Sequence, residues 1–348
     1  MSDSKKIVTI VGATGSQGKG VVSAILNSSN PSAYHIRAIT RNPSGAPAQA
    51  LSAQGIEVVQ ADVNSLPSLV TAFAGSHIIF AVTNFWEPFI SFKNQQQACS
   101  VETRQGLNLA LAVADPTVLP TLERYIWSTI PDAMAISGGK YLIPHFESKN
   151  KVDRYIREAL PQLYAKTTFL WVSYYHYNYV WFMFKPYWVA SANAHVQVAN
   201  YAGDTPLHTI GDVSVNITPF VRAVVEGRGG EEEEGEEEAA ASTVGGRVVF
   251  ANLATPTADE MLQTWAKAKG TRAQLVRISG KDYRKLWPVW ADEIGLMMEF
   301  WDECRNECWP TVDSEGRKVL TAEDLGIKAD ELQGLEEAFR ELDMDVIS

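Results

Sequence analysis

Cysteine is scarce: the 348 residues carry three, Cys99, Cys304 and Cys308, too few for a disulfide framework. No stretch approaches the ~20 apolar residues that span a bilayer. The richest aromatic segment, Trp171 to Trp188, is interrupted by His176, Asn178, Lys185 and Pro186. The polar opening MSDSKK leads into a short apolar run and not into a secretory leader. A soluble intracellular protein is expected, cytoplasmic and with access to the nucleus. Positive charge is also short, with 30 Lys and Arg against 41 Asp and Glu and a net charge of −11. That argues against direct nucleic-acid binding, which relies on Lys and Arg neutralising phosphates. The six histidines show no metal-ligand spacing, and Cys304 and Cys308 without further ligands make a poor zinc site. They read as helix-face residues, and no metal is expected. No Gly-x-Ser-x-Gly occurs, so hydrolase chemistry is not indicated.

What is present is a globular composition, 46% hydrophobic and 20% charged. The first 130 residues alternate short apolar runs with segments of helical spacing. Strands are expected at Ile7–Val11, His35–Ile39, Glu57–Gln60, Ile78–Val82 and Arg124–Trp127. Helices are expected at Lys19–Leu26, Ala46–Ala53, Pro67–Phe73 and about Gln95–Ala114. Such alternation implies a doubly wound parallel α/β sheet of the Rossmann type. A Trp/Pro/Phe-rich loop, Asn84–Phe92, precedes the longest helix, and long loops at the carboxyl ends of strands are where ligands sit. Further on, a helix is expected at Asp153–Leu160, a sixth strand at Thr167–Val172 and an aromatic helix at Tyr174–Lys185. Strand-like pieces at Val196–Val198 and Arg247–Ala251 precede late helices at Ala258–Lys267, Lys281–Phe300 and Ala329–Leu342. The expected division is a dinucleotide-binding domain over 1–172 and a smaller irregular α/β domain over 173–348. The second lies on the carboxyl edge of the sheet and partly returns to it. The run Glu231–Glu238, within 229–242, reads as a solvated, mobile acidic loop.

The strongest chemical signal is Gly12-Ala13-Thr14-Gly15-Ser16-Gln17-Gly18, directly after a strand and opening an amphipathic helix. Gly12 permits the tight turn, Gly15 lets the backbone approach a pyrophosphate, and Gly18 allows the helix to pack closely on the sheet. The helix N-terminus offers amides and a positive dipole end to the phosphates. A Gly-Lys-Ser/Thr ending is missing, which excludes a P-loop. The second strand ends Thr40-Arg41-Asn42 where an NAD-selective site carries an acid. Arg41 suits a 2′-phosphate, so NADP(H) is the expected cofactor. Asp62 is placed either to meet the adenine edge or to cap a loop.

The segments GATGSQG, TRNPSG, AVTNFWEP and HFESKNKVDRYIRE, in that order, resemble the NmrA-like family, an atypical branch of the short-chain dehydrogenase/reductase superfamily. The resemblance runs from about residue 6 to about residue 270. It is similar both to the NADPH-sensing type and to NmrA-like oxidoreductases of fungal secondary metabolism. It implies that Gly12 to Gln17 hold the pyrophosphate, Arg41 the 2′-phosphate, and Asp62 and Val63 flank adenine. Thr83, Asn84 and Phe85 would lie along the nicotinamide-side ribose and phosphate. Arg104 matches a basic cofactor-contacting position, Lys149 would reach the nicotinamide ribose, and Tyr175, His176, Tyr177 and Asn178 would close over the nicotinamide. Ser173 stands where the family usually has Pro, Val215-Asn216 where it typically carries an Asp, and the acidic run has no counterpart.

The superfamily's Tyr-x-x-x-Lys pair is His145 and Lys149 here. Spacing of four puts both on one helical face. In one reading the chain is a reductase of a small, flat aromatic or polyketide-like substrate. His145 or Lys149 is then the acid/base, Tyr141, Tyr175 or Ser128 adds a hydroxyl, and Trp171, Tyr174, Tyr175, Tyr177, Trp181 and Phe182 wall the pocket. In the other it is a regulatory module that reports the NADPH/NADP⁺ level to a transcription factor or other protein without turnover. His145 then only caps its helix.

Overall fold

The computed structural model describes residues 5–228 and 243–345. The acidic run Glu231–Glu238 lies outside the described residues. In chain order the elements are β1 (Lys6–Val11), α1 (Ser16–Leu26), β2 (Tyr34–Thr40), α2 (Ala46–Ala53), β3 (Glu57–Gln60), α3 (Leu66–Phe73), β4 (Ile78–Ala81), α4 (Trp86–Phe92) and α5 (Gln95–Val113). They continue with β5 (Arg124–Thr129), α6 (Ala133–Ile136), α7 (Pro144–Ala159), α8 (Pro161–Tyr164), β6 (Thr167–Val172), β7 (Tyr174–Tyr175), β8 (Tyr187–Val189), β9 (Ala194–Ala199) and β10 (Thr209–Gly211). The last are α9 (Val213–Glu226), β11 (Arg247–Ala251), α10 (Ala258–Ala268), β12 (Ala273–Arg277), α11 (Gly280–Leu286), α12 (Leu296–Cys304) and α13 (Leu335–Glu341).

Seven strands form one parallel sheet in the order β11-β6-β5-β4-β1-β2-β3. The central strands β4, β5 and β6 are apolar and almost wholly buried, as a sheet covered on both faces requires. One face buries Val8, Ile10, Phe80 and Ile126 against α1 and α9; the other buries Ile79, Tyr125, Trp127 and Phe169 against α3, α5 and α7. The chain order reverses between β1 and β4, so the crevice at the carboxyl ends of these two strands is the topological switch point. A three-stranded sheet, β12-β9-β8, and the pair β10-β7 lie outside the main sheet.

Several elements differ from the expectation drawn from sequence. Asn84–Phe92 is not a loop: Asn84 Oδ1 accepts the Trp86 amide at 3.0 Å and starts α4. Tyr174–Lys185 is not a helix. Tyr174 and Tyr175 pair with β10, and only His176–Val180 winds, as a 3₁₀ turn. α7 begins at Pro144, not at Asp153, because proline at the first helical position is preorganised for the start. Lys281–Phe300 is broken at Pro288, which cannot continue α11, and resumes through a π-helical turn, Ala291–Gly295. α9 lies outside the element spans expected from sequence and packs on α1. Gly20 permits that approach, since a Cβ there would overlap Ile217.

Candidate functional site

β1 delivers the chain to Gly12, whose φ of +73° is a left-handed conformation that glycine adopts freely. The Gly15 amide closes the turn on the Gly12 carbonyl at 2.9 Å. A Cβ at Gly18 would collide with that carbonyl oxygen and with Ala13 Cα, so only glycine lets α1 start this close to the loop. Gly15 is the N-cap and brings no side chain, which leaves the first-turn amides of α1 uncapped. Thr14, Gly15 and Ser16 are exposed while Ala13 and Gly18 are buried, so the loop presents its backbone outward. These are the features a pyrophosphate requires.

Tyr175 and Tyr177 reach this loop. Gln17 Nε2 donates to the Tyr175 hydroxyl at 2.7 Å, and Tyr177 hydrogen-bonds Ser16. Gln17 Oε1 is buried without a hydrogen-bond partner among the described residues, so it is free to accept a donor from a ligand. The His176 ring lies 3.0 Å from the Gly211 carbonyl through Nδ1, and burial lowers its pKa. The Asn178 side chain turns to Tyr174. His176, Tyr177, Ser16, Lys19 and Ser214 line a cavity of about 240 Å³ beside the loop.

Across the crevice, Arg41 follows β2 and makes a two-pronged ion pair with Glu87 of α4, at 2.9 and 3.1 Å. Both side chains are more than half exposed, so a competing anion can reach the guanidinium. Asp62 Oδ1 accepts the Asn64 amide at 2.9 Å and so closes a local turn, while the Val63 carbonyl accepts Asn108 Nδ2 at 3.0 Å.

The two residues from the Tyr-x-x-x-Lys position sit in the first turns of α7, each on its own buried carboxylate. Lys149 Nζ donates to Glu102 Oε1 at 2.9 Å and to Thr83 Oγ1 at 2.9 Å. Thr83 Oγ1 itself donates to Glu102, and Ser148 Oγ closes on the other carboxylate oxygen. Glu102 is 1% exposed. It reaches Lys149 because Gly106, one turn along α5, lets the helix press on Val152 of α7; a Cβ there would lie 2.6 Å from Val152 Cγ2. His145 is held by Glu293 of the π-helical turn. Glu293 Oε1 accepts the His145 amide at 3.0 Å and pairs with ring Nδ1. The His145 ring faces Phe85 and Trp86 at 5.8 and 5.2 Å, and Trp86 stacks on Trp290 at 6.4 Å. Asp153, two turns further along α7, is buried and accepts Trp127 Nε1 at 2.7 Å and Thr129 Oγ1 at 2.8 Å, which fixes the helix on β5.

The crevice therefore gathers the glycine loop, Arg41, Asp62, Thr83, His145, Lys149, Tyr175 and Tyr177. Arg104 is not among them. Two residues along α5 from inward-facing Glu102, it lies about 200° round the helix and is exposed. Phe85 is buried in an aromatic cluster with Trp86 and Phe89 and does not line an open ribose site. Tyr141 gives its hydroxyl to Glu303 at 2.7 Å. Trp171 and Tyr174 are core residues packed on Trp309 and Trp301, whereas Phe182, also expected in the wall, packs on Trp290, which stacks on Trp86 beside His145. Sequence reasoning missed Glu87, Glu102 and Glu293. Glu102 alone carried a local signal, as the one charge on the apolar stripe Ala98, Gly106, Leu109 and Val113.

A family model described as the NmrA-like family matches residues 4–325 of the chain. The chain belongs to the NmrA-like family. A curated member, the NmrA-like family domain-containing oxidoreductase hkm9 of Aspergillus hancockii, is 28% identical over 180 residues, 52% of this chain and 50% of that protein. The chain thus spans about half the length of such relatives. Among solved structures, NmrA, a negative transcriptional regulator in complex with NADP, matches at TM-score 0.65 and 18% identity over 97% of this chain and 95% of that one. Citrobacter sp. triphenylmethane reductase complexed with NADP(H) matches at 0.61 and 20%, over 96% and 99%. At these identities both show the shared fold. No helix among the described residues is long and apolar enough to cross a membrane.

Proposed function

We propose that this NmrA-like protein is an NADP(H)-dependent oxidoreductase that reduces a small, flat aromatic or polyketide-like carbonyl compound. The observation that carries the reading is the pair on α7. His145 and Lys149 stand four residues apart at the switch-point crevice, each anchored to a buried carboxylate. The bound cofactor supplies hydride. Ser16, Gln17 and the uncapped first turn of α1 hold the pyrophosphate, and Arg41 takes the 2′-phosphate by releasing Glu87. Lys149, fixed by Glu102 and Thr83, binds the ribose. His145 holds the proton for the substrate oxygen. Trp86, Phe182 and Trp290 shape a planar apolar site and exclude water. The oxidoreductase names among its relatives and the reductase fold neighbours support the reading. Oxidation of NADPH against a panel of aromatic and polyketide-like carbonyls tests it; tight cofactor binding with no turnover refutes it.

The likeness to the regulator NmrA over 97% of the chain supports a second reading, a redox-sensing module that binds a regulatory protein. A retained protein partner that dissociates when NADPH replaces NADP⁺, without turnover, would establish it.

A further inference from the structure

Glu293 is a carboxylate with no exposed surface, contributed by a turn far along the chain from the helix it serves. Its Oε1 accepts the His145 amide and contacts ring Nδ1, while Oε2 has no hydrogen-bond partner among the described residues. The segment that carries it is strained. Val289 has a φ of +73°, costly for a β-branched residue, and the next turn is π-helical. Contacts with the Rossmann half hold this segment in place. Gln95 Nε2 donates to the Val289 carbonyl at 2.7 Å, and Trp290 stacks on Trp86 and meets Phe89 edge-on at 4.8 Å. Helix capping alone does not account for this arrangement, since a Ser, Thr, Asp or Asn at position 143 would cap α7 locally. A half-paired buried carboxylate is an expensive substitute. Strain of this kind clusters at functional sites.

We propose that Glu293 is a positioning residue for proton transfer. It takes Nδ1–H of His145, fixes the ring's tautomer and orientation, and leaves Nε2 as the nitrogen that gives and receives the substrate proton. The inference rests on the reductase reading. In the reduction, hydride from NADPH forms the new C–H bond at the carbonyl carbon as the cofactor becomes NADP⁺. The C=O π pair moves to oxygen, and the Nε2–H proton of the imidazolium forms the O–H bond. Neutral imidazole remains, with Nδ1–H on Glu293, and takes its next proton from water.

The test combines nitrogen-15 NMR of the His145 ring with kinetics of Glu293→Gln and Glu293→Asp. In the wild-type protein with its ring neutral, the expected tautomer carries the proton on Nδ1; the Nε2–H tautomer would overturn the proposal without any variant. Gln still accepts the His145 amide, so a mere cap tolerates it, but it lacks the negative charge that holds the imidazolium from which the proton leaves. The proposal instead expects kcat to fall about 100-fold or more in Glu293→Gln, with KM and NADPH affinity unchanged and Asp restoring part of the rate. Equal activity of Gln and wild type would refute it. A wild type that turns over no carbonyl refutes the reductase reading, and the tautomer measurement then still decides whether Glu293 holds His145 as stated.

Discussion

The Arg41–Glu87 pair makes cofactor selectivity a competition that can be measured. A 2′-phosphate must displace Glu87 from the guanidinium, because the carboxylate occupies two of its N–H groups. Both side chains are more than half exposed, so the pair itself is worth at most about 1 kcal/mol. A charge-assisted hydrogen bond to a phosphate contributes about 1.5–3 kcal/mol. Glu87→Gln removes the competitor and is expected to tighten NADPH binding by up to about five-fold, with NADH unchanged. Arg41→Ala loses the phosphate contact, offset by up to about 1 kcal/mol for the pair no longer broken, and should weaken NADPH by about 2- to 150-fold while sparing NADH. Fluorescence titration of both cofactors with both variants reads this directly. Raising the salt should shrink the Glu87→Gln effect, since exposed charges are screened. Equal changes for NADPH and NADH in either variant would show that Arg41 does not read the 2′-phosphate.

Two further outcomes follow from buried carboxylates. Glu102→Gln leaves Lys149, only 13% exposed, without its counter-charge; a loss of about 3 kcal/mol in denaturant unfolding is expected, mostly recovered when Lys149→Met is combined with Glu102→Leu. A single variant indistinguishable from wild type would refute the pairing. Burial raises the Asp153 pKa from 3.8 to about 6. Its protonated form is therefore favoured by folding, and the contribution is fully present below pH 3.8 and lost as pH rises through about 6. That loss is about 3 kcal/mol. Asp153→Asn should gain on wild type across this window in pH-dependent unfolding; parallel curves would refute the assignment.

The sheet was legible because its strands are short apolar runs and its first turn needs glycines that nothing else replaces. β3, α2 and β6 coincide with their expected spans. The first turns of α7, Pro144 to Lys151, bury the polar residues Ser148 and Asn150 beside Pro144 and Phe146, so no apolar helical stripe shows there in the sequence. The aromatic stretch after β6 misled for the opposite reason. Aromatic and apolar residues fall on every face of it, with His176 and Asn178 among them, so periodicity does not separate a helix from the strand and 3₁₀ turn that tertiary pairing with β10 imposes. At the site, His145, Lys149 and the glycine loop were readable as motifs. Glu293 was not, because its role depends on a contact across 148 positions that no local pattern encodes.

The two buried carboxylates also bear on whether the site turns over or only senses. Buried ion pairs seldom stabilise a fold relative to apolar residues of similar size. Holding a ribose calls for a fixed cation such as Lys149, so its pairing with Glu102 suits either role. A sensor has no such need at His145, whose ring faces Phe85 and Trp86 and not the glycine loop. The decisive replacement is therefore His145→Phe with Glu293→Met, which exchanges a buried polar pair for apolar volume. Removing the pair should gain about 1–4 kcal/mol, less about 1 kcal/mol for the lost cap on α7. The double variant should be at least as stable as wild type, bind NADPH with unchanged affinity, and have no measurable turnover. A marked loss of stability with turnover intact would make the pair architectural, and His145 would then cease to be the proton donor.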